Sequence, residues 1–319
     1  MRVCSDSDVA ALLELEELLP VVADAFRRQG RGEVERPERP HFPVGTGLDG
    51  DESLGTGLTM PAYLHGDETY ATKLASVHPE NPPERPTIHA QVLLTDAQTG
   101  EPAALFAGER ITNARTGCIG GVAVERLADE PVTLGVIGAG AQARWQTRAI
   151  DAAVDVAGVR IYSPSDSRRV CARDLQERGI DARAVNAPGV AVDGADVVVT
   201  ATTATAPTFS PEALDDGTLV VAVGAYTAET QELHPTIVER ADRLYADVPA
   251  EAVETGDFLA ADHDDPTPLS AALSGDDPRV RPDEEVLVKS VGTAVLDAAT
   301  GRYLLDAARE ADRGDRVTL

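Results

Sequence analysis

Lysine, cysteine and long apolar runs are all scarce in this chain of 319 residues. Of its 28 basic residues, two are lysines, Lys73 and Lys289, and the rest are arginines. GC-rich coding could favour arginine, but the scarcity directs attention to the two places that keep an ammonium group. Cys4, Cys118 and Cys171 are far apart and have no C-x-x-C spacing. This pattern argues against a disulfide framework or a zinc site, so we expect no metal and a reducing, cytoplasmic location.

The chain also lacks the segments and charges that direct proteins to membranes or nucleic acids. No apolar run approaches the ~20 residues of a membrane span, and the N-terminus has no signal-peptide core. With 28 Lys+Arg against 54 Asp+Glu, the formal net charge is −26 at pH 7. Such a field repels nucleic acid and anionic membranes, so we expect neither as a partner. Because the acidic residues are spread along the chain and lysine is scarce, a salt-adapted organism is favoured over an ordinary acidic soluble protein.

Apolar periodicity predicts an α/β domain at 116–298. From residue 132 on, short β-branched stretches alternate with helical ones, which predicts a doubly wound parallel sheet of the Rossmann type and an α/β fold. The predicted strands beyond the first are 159–163, 195–202, 218–224, 243–247 and 285–292. The acidic stretch 261–285 lacks the aspartate spacing of a calcium loop and predicts a solvated connection.

The residues before position 116 predict a separate α+β domain at 1–115, which is the candidate domain for substrate binding. A helical pattern covers 7–29, where Pro20 should start a second helix or kink the first. The last helix, 299–310, is expected to fold back, so that 299–319 join this domain. Its other predicted elements are a loop with short edge strands (30–57), strands at 58–64, 70–77 and 88–95, a hairpin at 92–108 and a helix at 109–128.

One turn in the second domain has the spacing of a dinucleotide site. The stretch 132–150, VTLGVIGAGAQARWQTRAI, places Gly138, Gly140 and Ala143 between an apolar strand and a helix. Gly138 allows a tight turn, Gly140 lets the backbone approach a pyrophosphate, and Ala143 lets the helix lie on the strand. The strand and helix context favours a dinucleotide site over a purely structural glycine turn.

Two basic residues of the first domain are candidates for chemistry. Lys73 stands in the apolar stretch TYATKLASV. It is either a snorkelling surface residue or a buried amine whose lowered pKa suits acid–base work, and the scarcity of lysine favours the second. Arg115, in RITNARTG, could place a guanidinium fork on a carboxylate, but a helix-surface salt bridge is an equally good interpretation.

Eight segments, in order over nearly the whole chain, resemble the ornithine cyclodeaminase/μ-crystallin family, which includes an archaeal type of alanine dehydrogenase. Together they are far more specific than the glycine turn alone. The segments are MPAYL (60–64), TKLASVHPENP (72–82), LLTDAQTGEPAAL (93–105), RITNARTG (110–117), GVIGAGAQA (135–143), GADVVVTATT (194–203), VGAYTAETQEL (223–233) and VKSVGTAVLD (288–297).

The resemblance implies roles for individual residues and a homodimer formed by the first domains. Lys73 would be the catalytic proton donor and acceptor, Arg115 would bind the substrate carboxylate, and Met60 would contact the substrate. Arg39 matches the second carboxylate-binding arginine of the family more loosely, because Arg36 lies close by. The predicted cofactor contacts in these segments are Gly138, Gly140, Ala141, Gln142, Thr200, Thr202, Val223, Ala225, Ser290 and Gly292.

Two positions depart from the family pattern. In the cyclodeaminases an aspartate handles the side-chain amine of the substrate, whereas Tyr226 stands here, and a phenol with a pKa near ~10 cannot supply that negative charge. The acid expected after the second strand to bind a ribose 2′-hydroxyl is also missing. Ser163, Ser165 and Arg168 stand there instead and could accept a 2′-phosphate, which slightly favours NADP over NAD.

These features predict an NAD(P)-dependent oxidoreductase that acts at the C–N bond of a small amino or imino acid. The first substrates to consider are a cyclic ketimine such as pyrroline-2-carboxylate, or pyruvate with ammonia. The arginines would hold the carboxylate, the nicotinamide would face the imine carbon, and Lys73 would manage the proton. Two alternatives stay open: an ornithine cyclodeaminase that forms proline and ammonia, and a nucleotide-binding protein without turnover.

The acid excess predicts that salt stabilises the folded chain. Between ~0.1 M and ~1 M salt the Debye length shortens from ~10 Å to ~3 Å, which relieves repulsion among the acidic residues. We therefore expect the thermal unfolding midpoint, followed by circular dichroism, to rise steeply over this range. A midpoint that stays flat would contradict salt adaptation.

Overall fold

The structure is a computed structural model that describes residues 1–48, 50–82, 84–275 and 278–318. Three predicted segments therefore lie partly outside the described residues: residue 49 of the loop 30–57, residues 276–277 of the acidic stretch 261–285, and residue 319 of the C-terminal segment 299–319. The chain divides into two compact units. Unit 1 comprises Met1–Glu14, Arg31–Arg115 and Ala294–Leu319, and unit 2 comprises Leu15–Gly30 and Thr116–Thr293.

Strands and helices are numbered in chain order. Those before the glycine turn are β1 (Arg2–Cys4), α1 (Asp6–Leu12), α2 (Leu15–Gly30), β2 (Val34–Glu35), β3 (His41–Val44), β4 (Gly55–Leu64), β5 (Thr69–Val77), β6 (Ile88–Asp96), β7 (Pro102–Ala107) and α3 (Gly108–Leu127). Those that follow are β8 (Val132–Ile137), α4 (Ala141–Ala153), β9 (Val156–Tyr162), α5 (Ser167–Gln176), β10 (Ala182–Ala184), α6 (Pro188–Val192), β11 (Val197–Thr200), a 3₁₀ turn (Pro211–Ala213), β12 (Leu219–Ala222), α7 (Pro235–Arg240), β13 (Arg243–Ala246), α8 (Pro249–Ala252), α9 (Gly256–Leu259), β14 (Thr267–Pro268), α10 (Leu269–Ser274), β15 (Val286–Lys289), α11 (Ala294–Glu310) and β16 (Asp315–Arg316).

Unit 1 is built on a mixed sheet in the order β16-β1-β7-β6-β5-β4-β2, with β3 also pairing with β4. Strands β4 to β7 are antiparallel neighbours. Met60 on β4 and Val92 on β6 are the cross-strand partners of Lys73 on β5, so the three side chains share one face of the sheet. Helix α11 packs on β4, β5 and β6, and its Gly301 lies against Leu94 and Val92 of that same face.

Unit 2 is built on a parallel sheet in the order β10-β9-β8-β11-β12-β15-β13-β14. The chain runs outward from β8 to β10, returns, and continues on the other side of β8 from β11. The strand order therefore reverses between β8 and β11, as in a Rossmann sheet. Every residue of β11, β12 and β15 is buried, as expected of strands covered on both faces. The α/β fold and the predicted strands are confirmed.

The helical pattern at 7–29 forms two helices, but the prediction that Pro20 divides or kinks it is wrong. A capping box from Ser5 and Asp8 begins α1, and Leu13 is extended and ends it. Pro20 lies inside α2, where the carbonyl it leaves without a donor belongs to the exposed Glu16. Helix α2 packs on α4 and α10, so it belongs to unit 2, whereas the sequence placed it in the first domain.

Two later segments also differ from expectation. The acidic stretch 261–285 is not a plain solvated connection, because it contains α10, whose apolar Leu269, Ala272 and Leu273 are buried. Helix α11 begins at Ala294 instead of residue 299, which adds a first turn important for the site below. Within the described residues, no helix has the length and apolarity that a membrane crossing requires.

Candidate functional site

A cavity of about 650 Å³ opens at the carboxyl ends of β8, β9 and β11 in unit 2. Its walls are the three loops that follow these strands, 137–140, 162–167 and 201–208. The strand order reverses at this place, which is where open parallel sheets bind their ligands. The volume lies within the ~300–1,000 Å³ usual for ligand sites.

The glycine turn at this cavity has the geometry that a dinucleotide needs. Gly138 has a φ of 116°, and a Cβ there would lie 2.3 Å from the carbonyl oxygen of Ala201, so a side chain is excluded. Gly140 precedes α4, and a Cβ there would meet no protein atom within 4 Å. That open space lets a phosphate approach the backbone. Ala143 is fully buried, where its small side chain lets α4 lie on the sheet.

Helix α4 directs its N-terminus toward this turn. Gly140 offers no side-chain cap, and the first turn, which begins with Ala141 and Gln142, has no acidic residue. The positive end of the helix dipole is therefore not neutralised by its own sequence and suits a phosphate. Arg144 braces the turn, because its Nη1 donates to the carbonyls of Ala139 (2.6 Å) and Gly140 (3.1 Å). Sequence reasoning missed Arg144, which resembles any helix-surface arginine.

The loop after β9 gathers three hydroxyl groups where a ribose acid is usual. Ser165 Oγ lies 2.7 Å from Ser167 Oγ, and Ser163 Oγ lies 3.2 Å from it. Arg168 Nη1 donates to the carbonyls of Ser163 (3.1 Å) and Ser165 (2.6 Å), so the guanidinium folds back onto the loop. Ser163 and Ser167 line the cavity, whereas Ser165 and Arg168 do not. Sequence reasoning did not name Ser167.

A buried carboxylate, Glu232, holds the loops after β11 and β12. It accepts hydrogen bonds from Thr200 Oγ1 (3.0 Å) and from the backbone N–H groups of Thr202 (2.6 Å), Gly224 (2.6 Å) and Ala225 (3.1 Å). Burial raises the pKa of Glu232 from its ordinary value, while Lys289 acts in the opposite direction. Glu232 therefore fixes backbone that the predicted cofactor residues occupy.

The loop after β15 is held in the same way. Asp247 accepts hydrogen bonds from Ser290 Oγ (2.7 Å) and the Gly292 N–H (2.8 Å). Before it, Lys289 Nζ donates to Asp257 Oδ2 at 2.6 Å, with both side chains fully buried. These contacts fix the carboxyl end of β15, from which Ser290 and Gly292 follow.

Most predicted cofactor residues thus lie at one edge of the unit 2 sheet, since the carboxyl ends of parallel strands share an edge. Four of them line the cavity: Gly138, Gly140, Ser163 and Thr202. The others lie beside them in sequence or follow neighbouring strands of the sheet: Ala141, Gln142, Ser165, Arg168, Thr200, Val223, Ala225, Ser290 and Gly292.

A second polar cluster lies in unit 1, around Lys73. Its Nζ is 3.4 Å from Oδ1 and 3.3 Å from Oδ2 of Asp297, which is on the first turn of α11. Arg115 Nε donates to the same Oδ1 at 3.2 Å. The three residues are 3%, 0% and 4% exposed, respectively. The buried interpretation of Lys73 therefore holds, and Arg115 is not a helix-surface residue.

The surroundings of Lys73 lower the pKa of its amine. Burial lowers its pKa to about 8, Asp297 opposes this, and Arg115 and Arg39 add to the lowering. Arg39, half-buried before β3, is thus close enough to act on Lys73 electrostatically. Met60 lies beside Lys73 on the neighbouring strand. The four residues predicted for the substrate are therefore brought together.

The guanidinium of Arg115 is the part of this cluster that can take an anion. Apart from the bond from Nε, its two Nη nitrogens have no hydrogen-bond partner among the described residues. Two cations, Lys73 and Arg115, thus contact the carboxylate of Asp297 in a strongly negative chain. Sequence reasoning missed Asp297, although it ends the segment VKSVGTAVLD, because nothing in the sequence joins it to Lys73.

The chain is similar to known proteins over nearly its whole length. The sequence pattern described as "Ornithine cyclodeaminase/mu-crystallin family" matches residues 1–312. A Delta(1)-pyrroline-2-carboxylate reductase from Bacillus cereus is 33% identical over 99% of both chains. An alanine dehydrogenase from Archaeoglobus fulgidus is 28% identical over 99% of this chain and 97% of its own.

A solved structure has the same fold. The Delta(1)-pyrroline-2-carboxylate reductase of Thermococcus litoralis, in complex with NADH and L-proline, superposes with a TM-score of 0.90 at 29% identity, covering 99% of this chain and 100% of its own. The family match over residues 1–312 and the 33% identity to a relative over 99% of both chains show that the chain belongs to the ornithine cyclodeaminase/μ-crystallin family.

Proposed function

We propose that the chain is an NAD(P)H-dependent reductase of small cyclic imino acids, with pyrroline-2-carboxylate as the first candidate substrate. The observation that carries this proposal is Lys73, a buried amine with a pKa of about 8 beside a guanidinium that can take a carboxylate. The cavity at the glycine turn supports a dinucleotide cofactor. The reductases from Bacillus cereus and Thermococcus litoralis support the substrate class. Pyruvate with ammonia is the second candidate, favoured by the Archaeoglobus fulgidus relative.

The residues of unit 1 supply binding and a proton. Bound NAD(P)H would supply a hydride to the imine carbon. Arg115 would hold the carboxylate through its two Nη nitrogens, which fixes the orientation of the adjacent C=N bond. Lys73, as an ammonium, would give one proton to the imine nitrogen, so that a secondary amine forms and Lys73 is left neutral. In the reverse direction the neutral amine takes the proton back.

Cyclodeamination of ornithine is disfavoured, because neither acid close to Tyr226 in the sequence, Glu229 or Glu232, stands in for the missing aspartate. Tyr226 is 48% exposed, and its phenol is no substitute for a carboxylate near neutral pH. Glu232 is committed to four donors in the loops that it holds. Glu229, the other nearby acid, is exposed. The distal amine of ornithine would therefore stay a protonated, poor nucleophile.

The substrate proposal is tested by following NAD(P)H oxidation at 340 nm. We expect turnover with pyrroline-2-carboxylate, weaker turnover with pyruvate plus ammonium, and negligible proline from ornithine with NAD⁺. Absence of turnover with every imine would leave the non-catalytic alternative, and efficient proline formation from ornithine would reinstate the cyclodeaminase.

The role of Lys73 is tested by its pH dependence. Reduction needs the ammonium form, so the reduction rate should fall as pH rises through about 8, while amine oxidation should rise over the same range. Lys73→Ala should lower the rate by ~10²–10⁴ and leave cofactor affinity unchanged. Lys73→Arg is the matched control, because it keeps the charge but cannot release a proton. Full activity of Lys73→Arg would show that only the charge matters.

We infer further that NADPH is accepted at least as well as NADH. The three residues directly after β9, Ser163–Ser165, include no acid, and the loop gathers the hydroxyls of Ser163, Ser165 and Ser167. The acid that follows, Asp166, is paired with Arg169 at 3.2 Å. Fluorescence titration with both cofactors measures the preference. A tenfold preference for NADH, about 1.4 kcal/mol, would overturn this inference.

We also infer a homodimer formed through unit 1. The sheet face opposite Lys73 carries Tyr70 and Leu74, which are 37% and 49% exposed, and apolar sheet faces of this kind are usually covered. A structural relative is described as an alanine dehydrogenase dimer. A single-chain mass by sedimentation equilibrium would exclude the dimer.

A further inference from the structure

One carboxylate, Asp297, lies between the two cations of the candidate substrate site. It is fully buried and contacts both Lys73 Nζ and Arg115 Nε, and Oδ1 takes part in both contacts. Burying a carboxylate has a desolvation cost that only close partners of opposite charge offset. Its two partners are the residues that the proposed reaction uses.

We propose that Asp297 is a positioning residue that keeps Lys73 protonated for proton transfer and turns the fork of Arg115 toward the substrate carboxylate. This inference rests on the reductase function proposed above. It assigns Asp297 no direct contact with the substrate.

The first half of the proposal follows from charge. Without Asp297, Lys73 would be a buried ammonium with two neighbouring guanidinium groups, those of Arg115 and Arg39, and all three influences favour loss of its proton. Asp297 supplies the opposing negative charge. The Nζ distances of 3.3 and 3.4 Å are longer than the ~2.7–3.2 Å of a strong hydrogen bond. The contact therefore holds the charge of Lys73 without fixing its protons, which stay available for transfer.

The second half follows from the geometry of the guanidinium. Asp297 takes Nε of Arg115 and leaves both Nη nitrogens without a partner among the described residues. A carboxylate bound in a bidentate manner uses two parallel N–H groups of the fork. With Nε occupied, the Nη1/Nη2 edge is the one presented to a ligand, so Asp297 determines which side of the fork binds.

The position of Asp297 on α11 places its side chain at the positive end of a helix dipole. It lies in the first turn of this 17-residue helix, where the helix dipole stabilises a negative charge. The same helix packs on β4, β5 and β6, so the carboxylate is held over β5 by the packing of unit 1.

The scarcity of lysine allows a direct measurement of Lys73. In full-length protein labelled with ¹³C at lysine Cε, two side-chain signals are expected, and the Lys73→Arg variant assigns them. We expect the Lys73 signal to titrate near pH 8 in the wild type. In Asp297→Asn its midpoint should fall by about one to three pH units, the usual effect of an opposite charge at this distance. The pH profile of reduction should shift by the same amount.

A comparison of Asp297→Asn with Asp297→Ser separates the two halves of the proposal. Asp297→Asn can still offer an oxygen to Arg115, so its KM for the imine should change little. Asp297→Ser loses both contacts, so we expect the lower Lys73 midpoint and also a KM raised about tenfold or more, the loss of roughly one charge-assisted hydrogen bond. Asp306→Asn is the matched control, because Asp306 lies on the same helix but is exposed and pairs with Arg302. It should change neither quantity.

The outcomes are distinct. An unchanged Lys73 midpoint in both Asp297 variants would overturn the inference, as would a shift of equal size in Asp306→Asn. If one Asp297 variant does not fold, the midpoint in the other still decides. A lowered midpoint without imine reduction in the wild type would refute the proposed function and leave the effect of Asp297 on Lys73 standing, because the titration needs no substrate.

Discussion

Burial of an ammonium group against an aspartate is the constraint on which both units depend. Each of the two lysines of the chain is buried this way: Lys289 with Asp257 in unit 2 and Lys73 with Asp297 in unit 1. Removing one partner of such a pair typically costs ~3–5 kcal/mol, so the elements that carry them cannot shift independently. The pairs differ in tightness, since Lys289 makes one contact of 2.6 Å and Lys73 two beyond 3.2 Å. The short contact suits a structural pair, and the longer contacts are compatible with the proton transfer proposed for Lys73.

At the candidate cofactor site of unit 2, buried carboxylates are likewise held by close partners, but most of these partners are backbone N–H groups and not charged side chains. Glu232 and Asp247 accept N–H groups from the loops after β11, β12 and β15. Buried carboxylates satisfied by backbone are expensive to disrupt, so these loops keep one shape before a ligand arrives. Preorganisation of this kind reduces the ordering cost of binding. The small residues at this edge of the sheet therefore form a surface of defined shape, and their side chains do not fill the cavity.

The sequence predicted those parts of the site whose geometry depends on residues close together in the chain. The strand, glycine turn and helix around Gly138 appear as expected, because a tight turn restricts the residues within a few positions of it. Lys73 could be singled out by its rarity and its apolar surroundings. Asp297 could not, because its contact with Lys73 spans 224 residues and exists only once α11 packs on β5. Whether Glu232 can stand in for the missing aspartate is also not decided by local sequence, because only the folded loops show that its oxygens already accept four hydrogen bonds.

The charge of the chain acts at two distances. At long range, the net charge of −26 opposes an anionic cofactor and a carboxylate substrate alike. At short range, the N-terminus of α4 and the cations around Lys73 present positive potential where each ligand would dock. Long-range repulsion is screened by salt, whereas contacts in buried sites are screened much less. The acidic surface and the cationic sites are therefore compatible in concentrated salt, because the salt screens the long-range repulsion of the ligands and leaves the short-range attraction at the buried sites in place.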